Sequence, residues 1–218
     1  MERKGIERFA PLTGLLFLLL VAISFVLSGE PPDVDDSAAE HVEFWSKDEG
    51  KQIASALLAT YAAIMLVWFA ASVRQAINRV EPEGRLASIS FAGAVITATG
   101  IAVSNAIQFA LAESAGDVPP DVTQTLSVLY ADIFFPMATG FALFMVAAGI
   151  AAVRHGAFDK RLGWIAIVIG VICVTPAGFF GFLASLIWIG LASVVLYRKT
   201  DPVGSGAAPP PGPEAPAA

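Results

Sequence analysis

In a chain this apolar, the residues able to do chemistry are the polar ones set inside apolar stretches. Three stand out: Asn105 and Gln108 in one stretch, and Asp132 in the next, within "SVLYADIFFPMATG", residues 127–140. A carboxylate at the centre of a membrane span is costly and points to a proton carrier or ion site, whereas at the rim it demands far less explanation. The 22 residues from Asp132 to Arg154 cover roughly 33 Å at about 1.5 Å each, which puts Asp132 at the rim. The same count from Leu86 places Gln108 at a similar depth and Asn105 about one turn deeper. Two expectations follow. Asp132 either anchors a helix at the interface or joins Asn105 and Gln108 in a small outward-facing polar pocket, closed by a surface helix around Trp45. Pro136, one turn further in, frees a backbone carbonyl near Asp132 and predicts a kink.

Other chemistries fail on spacing. His41 and His155 fall on opposite sides of any membrane layout, so they cannot jointly ligate a haem, and Cys173 is the single cysteine, which leaves no disulfide or thiolate cluster. Asp33, Asp35 and Ser37 begin an EF-hand pattern, but Ala38 stands where glycine is needed and Phe44 where the bidentate glutamate belongs. His41 beside Glu40 and Glu43 lacks the further ligands of a zinc site and reads as a solvated imidazole on an acidic helix. H-E-x-x-H, G-x-S-x-G, a phosphate-binding glycine loop, a TVGYG filter and a voltage-sensor charge series are all absent. The expectation is therefore no catalytic residue, no metal and no cofactor; with no basic patch, no nucleic-acid partner is expected either.

These residues need elements to hold them, and composition decides which. At 56% hydrophobic and 15% charged, 218 residues carry more apolar surface than a soluble domain can hide, so the chain needs lipid. Apolar stretches run over residues 11–28, 53–73, 87–112, 122–153 and 162–197. The last is 36 residues long, about 54 Å as one helix, and should fold in two at "TPAGFFG", residues 175–181. The expected fold is all-α: a polytopic transmembrane bundle of six spans over residues 11–199. It is preceded by a cytoplasmic segment, 1–10, and followed by a tail, 200–218, too rich in Pro, Ala and Gly to bury a core.

Loop charges test the count, because short cytoplasmic loops collect Lys and Arg. With six spans and the N-terminus inside, 11 of the 13 basic residues are cytoplasmic and only Lys47 and Lys51 fall outside. The outer loops instead carry Asp33, Asp35, Asp36, Glu40, Glu43, Asp117 and Asp121 among their acids. Both termini are thus expected in the cytoplasm. "MERKGIER" followed by an apolar run and "VLSGE" also resembles a secretory signal. Its apolar run is long for one, and it is read as a retained span.

Between the first two spans, Ser37 and Glu40 have capping-box spacing, and Ala38, Val42 and Trp45 share one face. This predicts a short amphipathic helix lying on the outer surface with Trp45 at headgroup depth. In the third span Ser90, Ala94, Ala98, Ala102, Ala106 and Ala110 form a ladder of small side chains at i+4 spacing, a surface that admits a neighbouring helix closely.

The layout as a whole, with "SAAEHVEFW" before the second span, "DKRLGWIA" opening the fifth and "LASVVLYRK" closing the sixth, resembles small uncharacterised integral membrane proteins of actinobacteria, of the domain-of-unknown-function kind. The likeness extends over about residues 10–199 and implies a plasma-membrane location and a helical fold, with no functional residue to carry over. The function expected from the residues is a non-enzymatic packing or accessory component embedded in the lipid bilayer, with a membrane-protein partner or a second copy of itself as its possible associates. The alternative is a small transporter or lipid-binding protein using the outer polar pocket.

Overall fold

The computed structural model describes residues 9–200. All but the first residue of the expected tail, 200–218, and most of the expected N-terminal segment, 1–10, lie outside the described residues. All described secondary structure is helical: a 3-10 turn at Ala10–Leu12, then α1 Thr13–Ser28, α2 Ala38–Lys47, α3 Glu49–Asn78, α4 Arg85–Ser114, α5 Pro120–Asp132, α6 Phe134–His155, α7 Lys160–Cys173 and α8 Gly178–Thr200. The long helices pack as sequential neighbours, α1 on α3, α3 on α4, α4 on α6, α6 on α7 and α7 on α8, and α8 closes the ring against α1.

Among the described residues, five helical stretches are long and apolar enough to cross a membrane: Ala10–Ser28, Glu49–Asn78, Arg85–Ser114, Pro120–His155 and Gly178–Lys199. The sixth expected span, α7, has only 14 residues, about 21 Å, against a hydrocarbon core of about 30 Å. Large side chains such as Trp68, Phe135, Trp164, Val168, Phe180 and Ile187 face outward, a belt of apolar surface that water would not tolerate and lipid requires.

The hairpin between α7 and α8 turns at residues 174–177, where Thr175 Oγ1 accepts the Ala177 N–H at 3.2 Å. Gly178 and Gly181, expected in the turn, belong instead to the first turn of α8. A Cβ at Gly181 would lie 2.8 Å from Cys173 N, and one at Gly178 would lie 2.6 Å from Cys173 O. These glycines bring two helices together; the bend itself is made upstream. The kink expected near Asp132 is present: α5 and α6 are interrupted at Ile133, close to Pro136, which has no N–H to offer the turn before it.

The ladder on α4 is covered over only half its length. Ser90, Ala94 and Ala98 are buried, while Ala102, Ala106 and Ala110 are exposed. Steps of four residues advance about 400° on a helix of about 3.6 residues per turn, so such a stripe drifts about 40° per step and winds off the contact face. The seam that stays on one face alternates steps of three and four: Ser90, Gly93, Thr97, Gly100 and Ser104, all buried. It packs on α6, where a Cβ at Gly93 would lie 2.7 Å from the Gly140 carbonyl oxygen and one at Gly100 would lie 2.6 Å from Met137 Cγ. Thr97 Oγ1 donates to the Met137 carbonyl at 3.3 Å. Opposite this seam the core is aromatic: Phe144 of α6 meets Phe69 of α3 and Trp188 of α8 with ring centroids 6.3 and 6.0 Å apart. The start of α4 is tied down by Glu81, a buried carboxylate that accepts the N–H groups of Leu86 and Ala87 at 3.0 and 3.3 Å.

The capping box of α2 is formed. The Glu40 carboxylate accepts from Ser37 N–H and from the Ser37 hydroxyl, both at 2.7 Å, and Ser37 Oγ accepts from Glu40 N–H at 3.4 Å. These bonds hold the Glu40 carboxyl below its ordinary pKa, the Ser37 hydroxyl contributing most. A depressed folded pKa stabilises the helix above the ordinary glutamate range, and that contribution is lost as pH falls through the folded value. Amide exchange at the start of α2 is therefore expected to quicken on acidification, and Ser37→Ala to remove about 1 kcal/mol of local stability at neutral pH. Exchange rates unaffected by both changes would show that the cap contributes nothing.

The buried face of α2 corrects two expectations. Trp45 is fully buried rather than set among headgroups, with its Nε1–H donating to Ser127 Oγ of α5 at 3.0 Å. His41, one turn earlier, is also fully buried, with Nε2 3.2 Å from the Asp33 carbonyl oxygen. The helix is seated on the bundle: its indole reaches between α4 and α5, and that orientation turns the imidazole downward with it.

Candidate functional site: a polar cluster beside an apolar cavity

Helices α1 and α3 meet through polar side chains at the end of the bundle that carries α2. Ser24 and Ser28, four apart on α1, face Ser55 and Gln52, three apart on α3, so each pair occupies one helical face. Ser24 Oγ donates to the Ser55 carbonyl at 3.1 Å and Ser55 Oγ to the Ser24 carbonyl at 3.0 Å. The Gln52 amide donates to the Ser28 carbonyl at 2.8 Å. From α4, Gln108 Nε2 donates to Gln52 Oε1 at 2.9 Å, and its own Oε1 accepts the Tyr130 hydroxyl of α5 at 3.4 Å. Tyr130 in turn lies edge-on to Trp45, ring centroids 5.4 Å apart, so the seat of α2 is continuous with the cluster.

Beneath this cluster lies a cavity of about 350 Å³, within the range of small-molecule sites. Ser28, Ser104, Asn105, Gln108 and Tyr130 form its polar side, and its walls are apolar and largely aromatic. Phe182 of α8 is the floor, 6.1 Å from Phe25, 6.1 Å from Phe134 and 5.6 Å from Phe141 between ring centroids. Phe25 of α1 and Phe179 of α8 line the cavity and stand half exposed, and they mark its mouth on the flank of the bundle.

Of the three residues singled out in sequence, the structure brings Asn105 and Gln108 to this cavity and leaves Asp132 out. Asp132 is exposed and is not among the lining residues. Its rotation on the helix excludes it. Two residues along a helix turn about 200°, so if Tyr130 points inward, Asp132 points away. The signal was in α5 itself: Thr123, Ser127 and Tyr130, at steps of four and three, define its inward face, and Thr123 and Ser127 are buried. Ser24, Ser28, Gln52, Ser55 and Ser104 were not singled out in sequence. Single serines near span ends are ordinary, and only their pairing across α1 and α3 gives them meaning.

Among the described residues no group of three or more His, Cys, Asp or Glu side chains is placed to hold a metal ion. The cluster is neutral: its polar groups are hydroxyls and amides, so it can bind and orient by hydrogen bonding. Comparison with protein families, with characterised proteins and with solved structures finds no match.

Proposed function

We infer that the chain is a six-span plasma-membrane protein with both termini cytoplasmic, and that its role is the non-enzymatic binding of an amphipathic membrane molecule. The carrying observation is the cavity, in which a neutral polar cluster and aromatic walls share one space with a mouth on the flank of the bundle. An amphiphile matches both surfaces, with head toward α4 and tail toward the mouth. The six-span count is supported by the basic residues at both ends of the α7–α8 hairpin, Lys160 and Arg161 with Arg198 and Lys199, which the positive-inside rule places together in the cytoplasm. The acidic α2 segment and the cavity then belong to the outer half. The packing or accessory reading keeps the exposed half of the ladder, Ala102, Ala106 and Ala110, while the half at Ser90, Ala94 and Ala98 is buried within this chain.

Two measurements test this. A reporter active only outside the cytoplasm is expected to be silent when fused at the C-terminus; activity there would refute the topology. Protein extracted from its membrane is expected to carry lipid at close to one molecule per chain. Ala59→Phe, which places a ring in the cavity, is expected to abolish that lipid without lowering the melting temperature. Equal lipid on both proteins would rule the cavity out as the site.

A further inference from the structure

Resting on the amphiphile reading, we propose that the occupant is an uncharged lipid whose head offers one hydroxyl and one carbonyl, the chemistry of a diacylglycerol, and that it enters sideways from the outer leaflet. The head is identified by two atoms that the protein leaves unsatisfied. Ser104 and Asn105 are each 7% exposed, and both line the cavity. The Asn105 amide nitrogen is committed to the Ile101 carbonyl at 2.6 Å, which leaves Oδ1 as a free acceptor among the described residues. Ser104 Oγ makes no hydrogen bond among the described residues. The other polar groups on the wall are paired: Ser24 with Ser55, and Ser28, Gln108 and Tyr130 with one another and Gln52.

Inside a bilayer an unpaired polar group has no bulk water to turn to and is costly. Asn105 Oδ1 therefore calls for a donor and the Ser104 hydroxyl for an acceptor, on adjacent residues of one helix. A ligand hydroxyl and a neighbouring ester carbonyl satisfy both. A phosphate does not: no Lys, Arg or His lines the cavity, and an anion buried without a counter-ion is strongly disfavoured. The volume, about 350 Å³, holds a head and the beginning of its chains; Phe25 and Phe179 at the mouth then flank acyl tails that continue into the bilayer.

The test uses the full-length protein in nanodiscs of dioleoylphosphatidylcholine, doped at equal mole fraction with dioleoylglycerol or dioleoylphosphatidylglycerol, with retained lipid counted by native mass spectrometry. Wild type is expected to retain the diacylglycerol at least tenfold better than the phosphatidylglycerol. Ser104→Ala and Asn105→Leu should each cut diacylglycerol retention about five- to tenfold, the worth of one hydrogen bond, while Ser104→Thr, which keeps a hydroxyl, should hold it. Ser104→Ala is close to isosteric, so an unchanged melting temperature separates lost binding from lost folding. Preferred retention of phosphatidylglycerol, itself abolished by Ala59→Phe, would overturn the head assignment and leave the binding site standing. Retention of neither lipid would overturn both, and diacylglycerol retention indifferent to Ser104 and Asn105 would overturn the assignment of these two groups.

Discussion

Gly93→Leu is expected to lower the detergent melting temperature of this protein more than any other single substitution on α4, at a cost of about 3 kcal/mol or more. The reason is backbone proximity. The first side-chain carbon at this position would already lie 2.7 Å from the Gly140 carbonyl oxygen and 2.9 Å from Leu143 Cβ, distances that cannot be relieved by turning a side chain. Because lipid removes the usual hydrophobic drive for helices to associate, close packing and interhelical hydrogen bonds hold α4 to α6, and a wedge at Gly93 would also part the Thr97 hydroxyl from the Met137 carbonyl. Gly93→Ala should fall between wild type and leucine. Ala102→Leu, by contrast, places its side chain on an exposed position of the same helix and should alter stability by less than about 0.5 kcal/mol. If Gly93→Leu and Ala102→Leu melt together, the seam is not where α4 and α6 cohere.

The second large effect belongs to Gln108. Its side chain, on α4, reaches three other helices, donating to Ser28 of α1 and Gln52 of α3 and accepting from Tyr130 of α5. Gln108→Leu would leave Gln52 Oε1 with a single long contact to Ser28 Oγ at 3.5 Å and take from the Tyr130 hydroxyl its acceptor on α4. Stranding buried polar groups costs more than the bond itself is worth, and about 2 kcal/mol is expected for the single change. Gln52→Leu combined with Gln108→Leu removes both ends of the bond between them, so the double variant should be about 1 kcal/mol better than the sum of the singles, within the coupling measured for membrane helices. Strict additivity would mean that the two glutamines do not act on each other. Because Tyr130 also supports Trp45, amide exchange in α2 should quicken in Gln108→Leu.

Hydropathy made the all-helical fold and five span-length apolar helices legible before any coordinates, since a bilayer imposes length on whatever crosses it. The cap of α2 was equally plain, because Ser37 and Glu40 act on each other within one turn. Counting from Leu86 set Asn105 and Gln108 about one turn apart on one helix, and both line the cavity. Rotation was the weak point. A helix position is fixed by depth and by azimuth, and an isolated aspartate carries no azimuth of its own. The inward direction of α5 was written in Thr123, Ser127 and Tyr130, whose modest polarity drew less attention than a charge. The alanine ladder misled for a related reason, as even i+4 spacing is a spiral when followed over six residues. His41 was read from its acidic neighbours as solvated, yet Trp45 one turn away decides which face goes down.

The brevity of α7 has a consequence for the membrane around it. As the proposed sixth span, a helix of 14 residues packed between partners of 22 and 23 residues would present lipid with two hydrophobic thicknesses on one molecule. In the proposed six-span arrangement, acyl chains next to α7 would have to shorten or tilt to avoid baring their ends, pinching the bilayer on that flank and leaving it relaxed on the opposite one. Mismatch of this kind costs fractions of a kcal/mol per ångström and is enough to sort proteins among membranes. The protein should thus collect in thinner regions, and it should orient its pinched flank toward neighbours whose own spans are short.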